Sequence, residues 1–344
     1  MNPSGLSCID SSEVTTLKSN RTIFCAASLA GLLILILDGK TALSGASQGI
    51  ELCIRTVIPS LFPFFFLSGI LTNSLSGSSC RILAPVRARC AVPRGVESIL
   101  ITGFLGGYPV GAKSIGDAYT KNDLHPQDAA HLLSFCSNAG PSFLFGMISG
   151  LFQESYVPFL LWAIHIISAI LVSVIHPSGP CQEVPAPTSE KHLSISDILR
   201  ATLAVMAVVC GWVILFRVLI TFLNRWFLWA LPEILRILIT GFLELTNGCC
   251  ELASVPQPGL RFVLCSVFLA FGGICVTMQT ASVVSGVSMR HYLAGKLMQT
   301  LFSLLLSISV VLQIGVPVLL FLILFAVLLG KIQKRSGNPL SVGV

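Results

Sequence analysis

The chain has 344 residues, 54% of them hydrophobic and 10% charged, with a mean hydropathy of +0.86, whereas a soluble domain carries about 25% charged residues. This excludes a soluble enzyme and predicts an all-α polytopic membrane protein. The net charge of +6 does not signal nucleic acid, because the basic residues sit in short loops beside apolar runs, where the positive-inside rule expects them.

Residues 1–21 form a polar, mixed-charge leader, expected to be disordered or to lie at the membrane surface. Lys18 and Arg21 precede the first apolar run, 22–37. The long leader and the later spans favour an uncleaved first helix over a signal peptide, which places the N-terminus in the cytoplasm. Further runs of spanning length follow at 57–75, 157–175, 201–223, 294–312 and 314–330. Residues 40–51 are read as a short loop or interfacial turn. Arg81, Arg87, Arg89 and Arg94 mark a cytoplasmic loop after two crossings. The halves run from 22–176 and 197–330, joined by a Pro-, Ser- and Glu-rich linker at 177–196. The basic tail 331–344, with Lys331, Lys334 and Arg335, is expected to be cytoplasmic as well.

The central unit, 96–152, is apolar enough for a membrane yet cannot be one plain helix. Gly106, Gly107, Pro109 and Gly111 fall within six residues of one another around Tyr108, and a helix entering there should break or unwind. A second interruption follows at Ser137-Asn138-Ala-Gly140-Pro141-Ser142. Backbone broken at membrane depth is tolerated only where protein or a watery cavity satisfies it. Both arms therefore read as re-entrant hairpins or discontinuous helices lining a site.

Ile101-Thr-Gly-Phe-Leu105 recurs letter for letter as Ile239-Thr-Gly-Phe-Leu243. Each copy precedes a break, at 106–111 and at Thr246-Asn247-Gly248, and then a similar downstream segment, Leu133-Ser-Phe135 or Leu269-Ala-Phe271. The pattern argues for an internal duplication, with the second unit at 235–289, and points to a transporter whose site lies at the repeat interface.

Several side chains carry possible chemistry. Lys113 adds a full charge beside the loop amides, which suits an anionic ligand; equally, it pairs with Asp117 one helical turn on. Glu244 stands in an apolar segment, where a carboxylate needs a cation, a proton or an arginine such as Arg217. Asn138, Ser142 and Asn247 offer hydrogen bonds at the breaks, to a substrate or to freed backbone groups. His165 reads as a satisfied buried histidine. The twelve cysteines show no C-x-x-C and no Cys/His cluster, so no metal or organic cofactor is expected; a coupling sodium ion or proton remains open. Gly106–Ser114 is not a phosphate loop, because Ala112 separates Gly111 from Lys113, and no motif supports an enzyme. A homo-oligomer is left open.

Gly103-Phe-Leu-Gly-Gly-Tyr-Pro-Val-Gly-Ala-Lys113, Leu132-Leu-Ser-Phe-Cys-Ser-Asn-Ala-Gly-Pro141 and Phe143-Leu-Phe-Gly146 resemble the sporulation integral membrane protein YlbJ family, within the nucleoside-recognition (Gate) group. That resemblance is specific from about 55 to 146 and weaker from 197 to 281. It implies a fold similar to concentrative nucleoside transporters, with inverted repeats meeting at a central site. It also implies a bacterial membrane, the outer forespore membrane in a sporulating cell, and transport of a small organic anion, dipicolinate first. Two other readings stay open: a nucleoside-type permease, and a non-transporting membrane scaffold of sporulation.

Overall fold

A computed structural model describes residues 11–75, 83–175 and 193–336, with the side chains of 11–21 and 332–336 outside the description. Arg81, most of the expected linker and the last eight residues of the expected tail lie outside the described residues. Among the described residues every regular element is helical. Helix α1 (Ser11–Leu37) begins inside the leader, expected to be disordered or to lie at the membrane surface. Helix α2 (Gly39–Leu52) runs through a π-helical turn, Cys53–Val57, into α3 (Ile58–Leu75).

The loop expected at 40–51 is therefore helix. Asp38 caps it by accepting from the Thr41 amide at 3.3 Å. Its small residues serve contact and not turning. A Cβ on Gly45 would lie 2.8 Å from Val218 Cα, and one on Gly49 2.9 Å from Ile214 Cα, both on α10 (Ile195–Trp226). Glycines four apart let two membrane helices approach backbone to backbone. Gly49→Leu is expected to push α2 off α10 and lower stability by about 2 kcal/mol or more, the usual range for overpacking, read as a drop in melting temperature of the purified protein.

Between these helices come α4 (Ala84–Arg89), α5 (Ser98–Ile101) with a π-helical turn at Thr102–Gly106, α6 (Val110–Thr120), α7 (Pro126–Phe135), α8 (Pro141–Gly146) and α9 (Val157–Ile175). After α10 follow α11 (Glu233–Leu243), α12 (Leu245–Glu251), α13 (Pro258–Phe271), α14 (Gly273–Val283), α15 (Met289–Val311) and α16 (Gly315–Ser336). Among the described residues five helical stretches are long and apolar enough to cross a membrane: Gly39–Leu75, Val157–Ile175, Ile195–Trp226, Pro258–Val283 and Met289–Val311. Thr22–Leu37 and Gly315–Lys331 are shorter apolar helices.

Polarity runs inside out, as lipid requires. On α15, Leu293, Leu297, Leu301 and Leu305 face outward, while Lys296, Gln299, Ser303 and Ser307 are buried. The apolar face is the exposed one, and the polar stripe at helical spacing packs against α7, α9 and α13. Helix α15 is thus the central post of the molecule. The described cysteines are free, and Cys53, Cys90, Cys136, Cys249, Cys265 and Cys275 are buried among apolar neighbours, whereas Cys25 and Cys250 are exposed.

Candidate functional site

Both copies of Ile-Thr-Gly-Phe-Leu lie on the first arm of a tight helical hairpin. In the first, the chain rises through α5 to Gly106, turns at Gly107-Tyr108-Pro109 and returns as α6. A Cβ on Gly111 would stand 2.8 Å from Gly103 Cα and 2.2 Å from the Cys136 carbonyl oxygen, so only glycine lets the arms and α7 meet. In the second, α11 turns at Glu244 and returns as α12, and a Cβ on Gly248 would stand 2.2 Å from Gly241 Cα. The turn falls at Glu244, two residues before the expected Thr246-Asn247-Gly248, because those residues form the first turn of α12.

Each hairpin is followed by an interrupted helix. Between α7 and α8 the chain is extended through Gly140, with Pro141 opening the second piece. Between α13 and α14 it breaks at Gly272 and Gly273, both with positive φ (79° and 82°). The breaks meet the hairpin tips. A Cβ on Gly107 would be 3.1 Å from the Gly140 nitrogen; one on Gly273 would be 3.3 Å from the Leu245 nitrogen.

The space between them is a partly open pocket with a cavity volume of about 40 Å³. Tyr108 and Glu244 from the two tips, Ala139 and Gly140 from the first helix break, and Val276 and Gln279 from α14 line it. Val57 and Leu61, and Val209 and Val213 of α10, close its apolar wall.

At its edge Glu244 is 1% exposed and caps α12: one carboxylate oxygen accepts from the Thr246 amide (3.0 Å), the other from the Asn247 amide (2.7 Å) and Asn247 Nδ2 (2.6 Å). Arg217 does not reach Glu244 directly. Its Nη1 donates to Asn247 Oδ1 at 2.8 Å and its Nε to Gln48 Oε1 at 3.1 Å, so Asn247 relays between arginine and carboxylate.

Behind Tyr108 lies a network that the sequence reading passed over. Lys296, buried on α15, donates to the Tyr108 hydroxyl (2.8 Å) and to Gln299 Oε1 (2.7 Å). Gln299 Nε2 donates to Asn138 Oδ1 (2.9 Å), and Asn138 Nδ2 to the Phe135 carbonyl (2.6 Å). The Tyr108 hydroxyl donates to the Leu269 carbonyl at 3.2 Å. His165 is paired at one nitrogen only: Nε2 accepts from the Ala139 amide at 3.0 Å, while Nδ1 is buried with no hydrogen-bond partner among the described residues, so the expectation of a satisfied histidine is met only in part. The available signal was Lys296 itself, an ammonium inside an apolar run, with Tyr292 and Gln299 on the same helical face.

The structure brings Tyr108, Gly140 and Glu244 to the cavity, with Asn138, Ser142 and Asn247 buried behind its lining. Gly106, Gly107, Pro109, Gly111 and Pro141 shape the first tip and the break it meets. Lys113 lies elsewhere. It is ion-paired with Asp117 on a part-exposed face of α6 and does not line the cavity.

No family model matches the sequence, and no solved structure matches it. Among curated proteins, the sporulation integral membrane protein YlbJ of Bacillus subtilis is 25% identical over 311 residues, which cover 77% of this chain and 76% of that protein. The chain is thus similar to that protein over most of its length, and its apolar helices make it an all-α polytopic integral membrane protein.

Proposed function

We propose that this protein is a transporter of a small organic anion, dipicolinate first, working by alternating access around the central cavity. One observation carries the reading: tips of two glycine-packed hairpins and the breaks of two interrupted helices converge on one partly open pocket. Broken helices at membrane depth place free amides and carbonyls against a solute, and the two hairpin tips are the parts that would gate it. Similarity to YlbJ supports a setting in spore formation, and resemblance to its family supports dipicolinate as substrate. Glu244, a buried carboxylate at one tip, is the group assigned to a coupling proton or sodium ion.

A second reading, a nucleoside-type permease, is favoured by the neutral and acceptor groups in the lining, Gln279 and Glu244. One experiment separates the two. Labelled dipicolinate is offered to proteoliposomes holding the purified full chain, with unlabelled uridine as competitor and Val276→Trp as a cavity-filling variant. Saturable uptake, lost in Val276→Trp and indifferent to uridine, is expected. Uptake of uridine with none of dipicolinate would replace the anion by a nucleoside, and no uptake of either would favour a scaffold.

A further inference from the structure

Lys296 is buried to 1% exposure, yet among the described residues no carboxylate lies within ion-pair distance of it. Its two hydrogen-bond acceptors, the Tyr108 hydroxyl and Gln299 Oε1, are neutral, and an ammonium has three protons to donate. The rings of Tyr108 and Tyr292 stand 4.9 Å and 6.0 Å from the nitrogen and add only a weak quadrupole attraction. Further compensation comes at one remove. The network that starts at Lys296 ends on the Leu269 and Phe135 carbonyls, in the last turns of α13 and α7, where helix dipoles are negative. A charge buried in this manner remains costly without an anion beside it.

Tyr108 both lines the cavity and accepts a hydrogen bond from Lys296. It rides on the hairpin tip next to Gly107, whose φ of 82° gives the turn its left-handed form. The phenol ring lies against Gly272, where a Cβ would come within 3.3 Å of Tyr108 Cζ. Ring and cavity therefore share one wall, with the ammonium directly behind it.

We propose that Lys296 is the counter-charge for a carboxylate of the transported solute, which reaches it from the cavity by displacing the Tyr108 hydroxyl. This rests on the organic-anion reading above and names the group that would recognise the charge. A carboxylate oxygen accepts from an ammonium more strongly than a phenol does, because the bond is charge-assisted. The displaced hydroxyl keeps an acceptor in the Leu269 carbonyl, so no buried polar group is stranded. Gln299 and Asn138 hold the ammonium from the far side, and their hydrogen bonds are undisturbed.

The test measures binding to the full-length detergent-purified protein by titration calorimetry, comparing dipicolinate with its uncharged isostere, pyridine-2,6-dicarboxamide. In Lys296→Gln the dicarboxylate is expected to weaken about a hundredfold, within the range for breaking a buried charged pair, while the diamide changes by less than about threefold. Tyr108→Phe, which removes the competing hydroxyl, is expected to tighten the dicarboxylate several-fold and leave the diamide unchanged; it carries the test if Lys296→Gln does not fold. Unchanged dicarboxylate affinity in Lys296→Gln, equal weakening of both ligands, or no gain in Tyr108→Phe overturns the role of Lys296 and leaves the transport reading standing. Wild-type protein that binds the diamide alone, or neither ligand, overturns the anion reading and the role of Lys296 with it.

Discussion

Replacing Gly295 with valine is expected to leave no recoverable folded protein, the largest effect of any single substitution considered. Helix α15 crosses α7 at this glycine, and a Cβ there would sit 2.0 Å from the Ser134 carbonyl oxygen and 2.8 Å from Ser134 Cα. Both atoms are backbone, so no side chain can swing aside. The helices would have to part, and the parting would fall beside Lys296 and Gln299, whose partners Tyr108 and Asn138 are carried by the first hairpin and the first helix break. Even Gly295→Ala, which adds only the Cβ, should cost about 3 kcal/mol, the upper range for overpacking. Gly211→Ala on α10 is the matched control. Nothing lies within 4 Å of its Cβ position, and alanine favours helix by up to about 1 kcal/mol. Size-exclusion recovery and thermal unfolding read all three variants. A Gly295→Ala protein that melts with the wild type would disprove the close crossing.

The same crossing shows why some of the site was legible in the sequence and some was not. Gly107, Gly140 and Pro141 stood out because an apolar run has few reasons to carry helix breakers, and Glu244 because a carboxylate in such a run needs a partner. These residues do shape or line the cavity. Glycines that serve contact misled. Gly45 and Gly49, within the stretch read as a loop, seat α2 on α10, and Gly248, within the expected break, seats α12 on α11. Lys113 was open to two readings, a charge beside the loop amides or a partner of Asp117 four residues on, and the local ion pair is the one found. Lys296 meets Tyr108 across 188 residues of chain, a contact that no local period announces. What the sequence carries is the need for satisfaction at each polar group; which distant group supplies it is decided by packing.

Glu244→Ala is expected to have the second largest effect, lowering stability by about 2–4 kcal/mol and abolishing transport on the reading proposed here. The carboxylate takes three hydrogen bonds, two of them from backbone amides at the start of α12. Alanine would leave both amides buried without acceptors, at about 1–3 kcal/mol each when water cannot reach them. Glu244→Gln keeps one oxygen but turns an NH₂ group towards donors, so its loss should be intermediate. Melting temperature and dipicolinate flux, measured on the same preparations, separate capping from coupling. Glu244→Gln protein that is stable but no longer responds to an imposed proton or sodium gradient would assign coupling to the carboxylate. Equal stability of Glu244→Ala and wild type would refute the cap. Arg217 enters through Asn247, so Arg217→Met combined with Glu244→Ala should destabilise by less than the sum of the single changes. The expected discrepancy is about 0.5–3 kcal/mol, the range for residues sharing one hydrogen-bond network. Strict additivity would mean that the arginine holds α10 to α2 through Gln48 and leaves the charge at the hairpin tip to the amides alone.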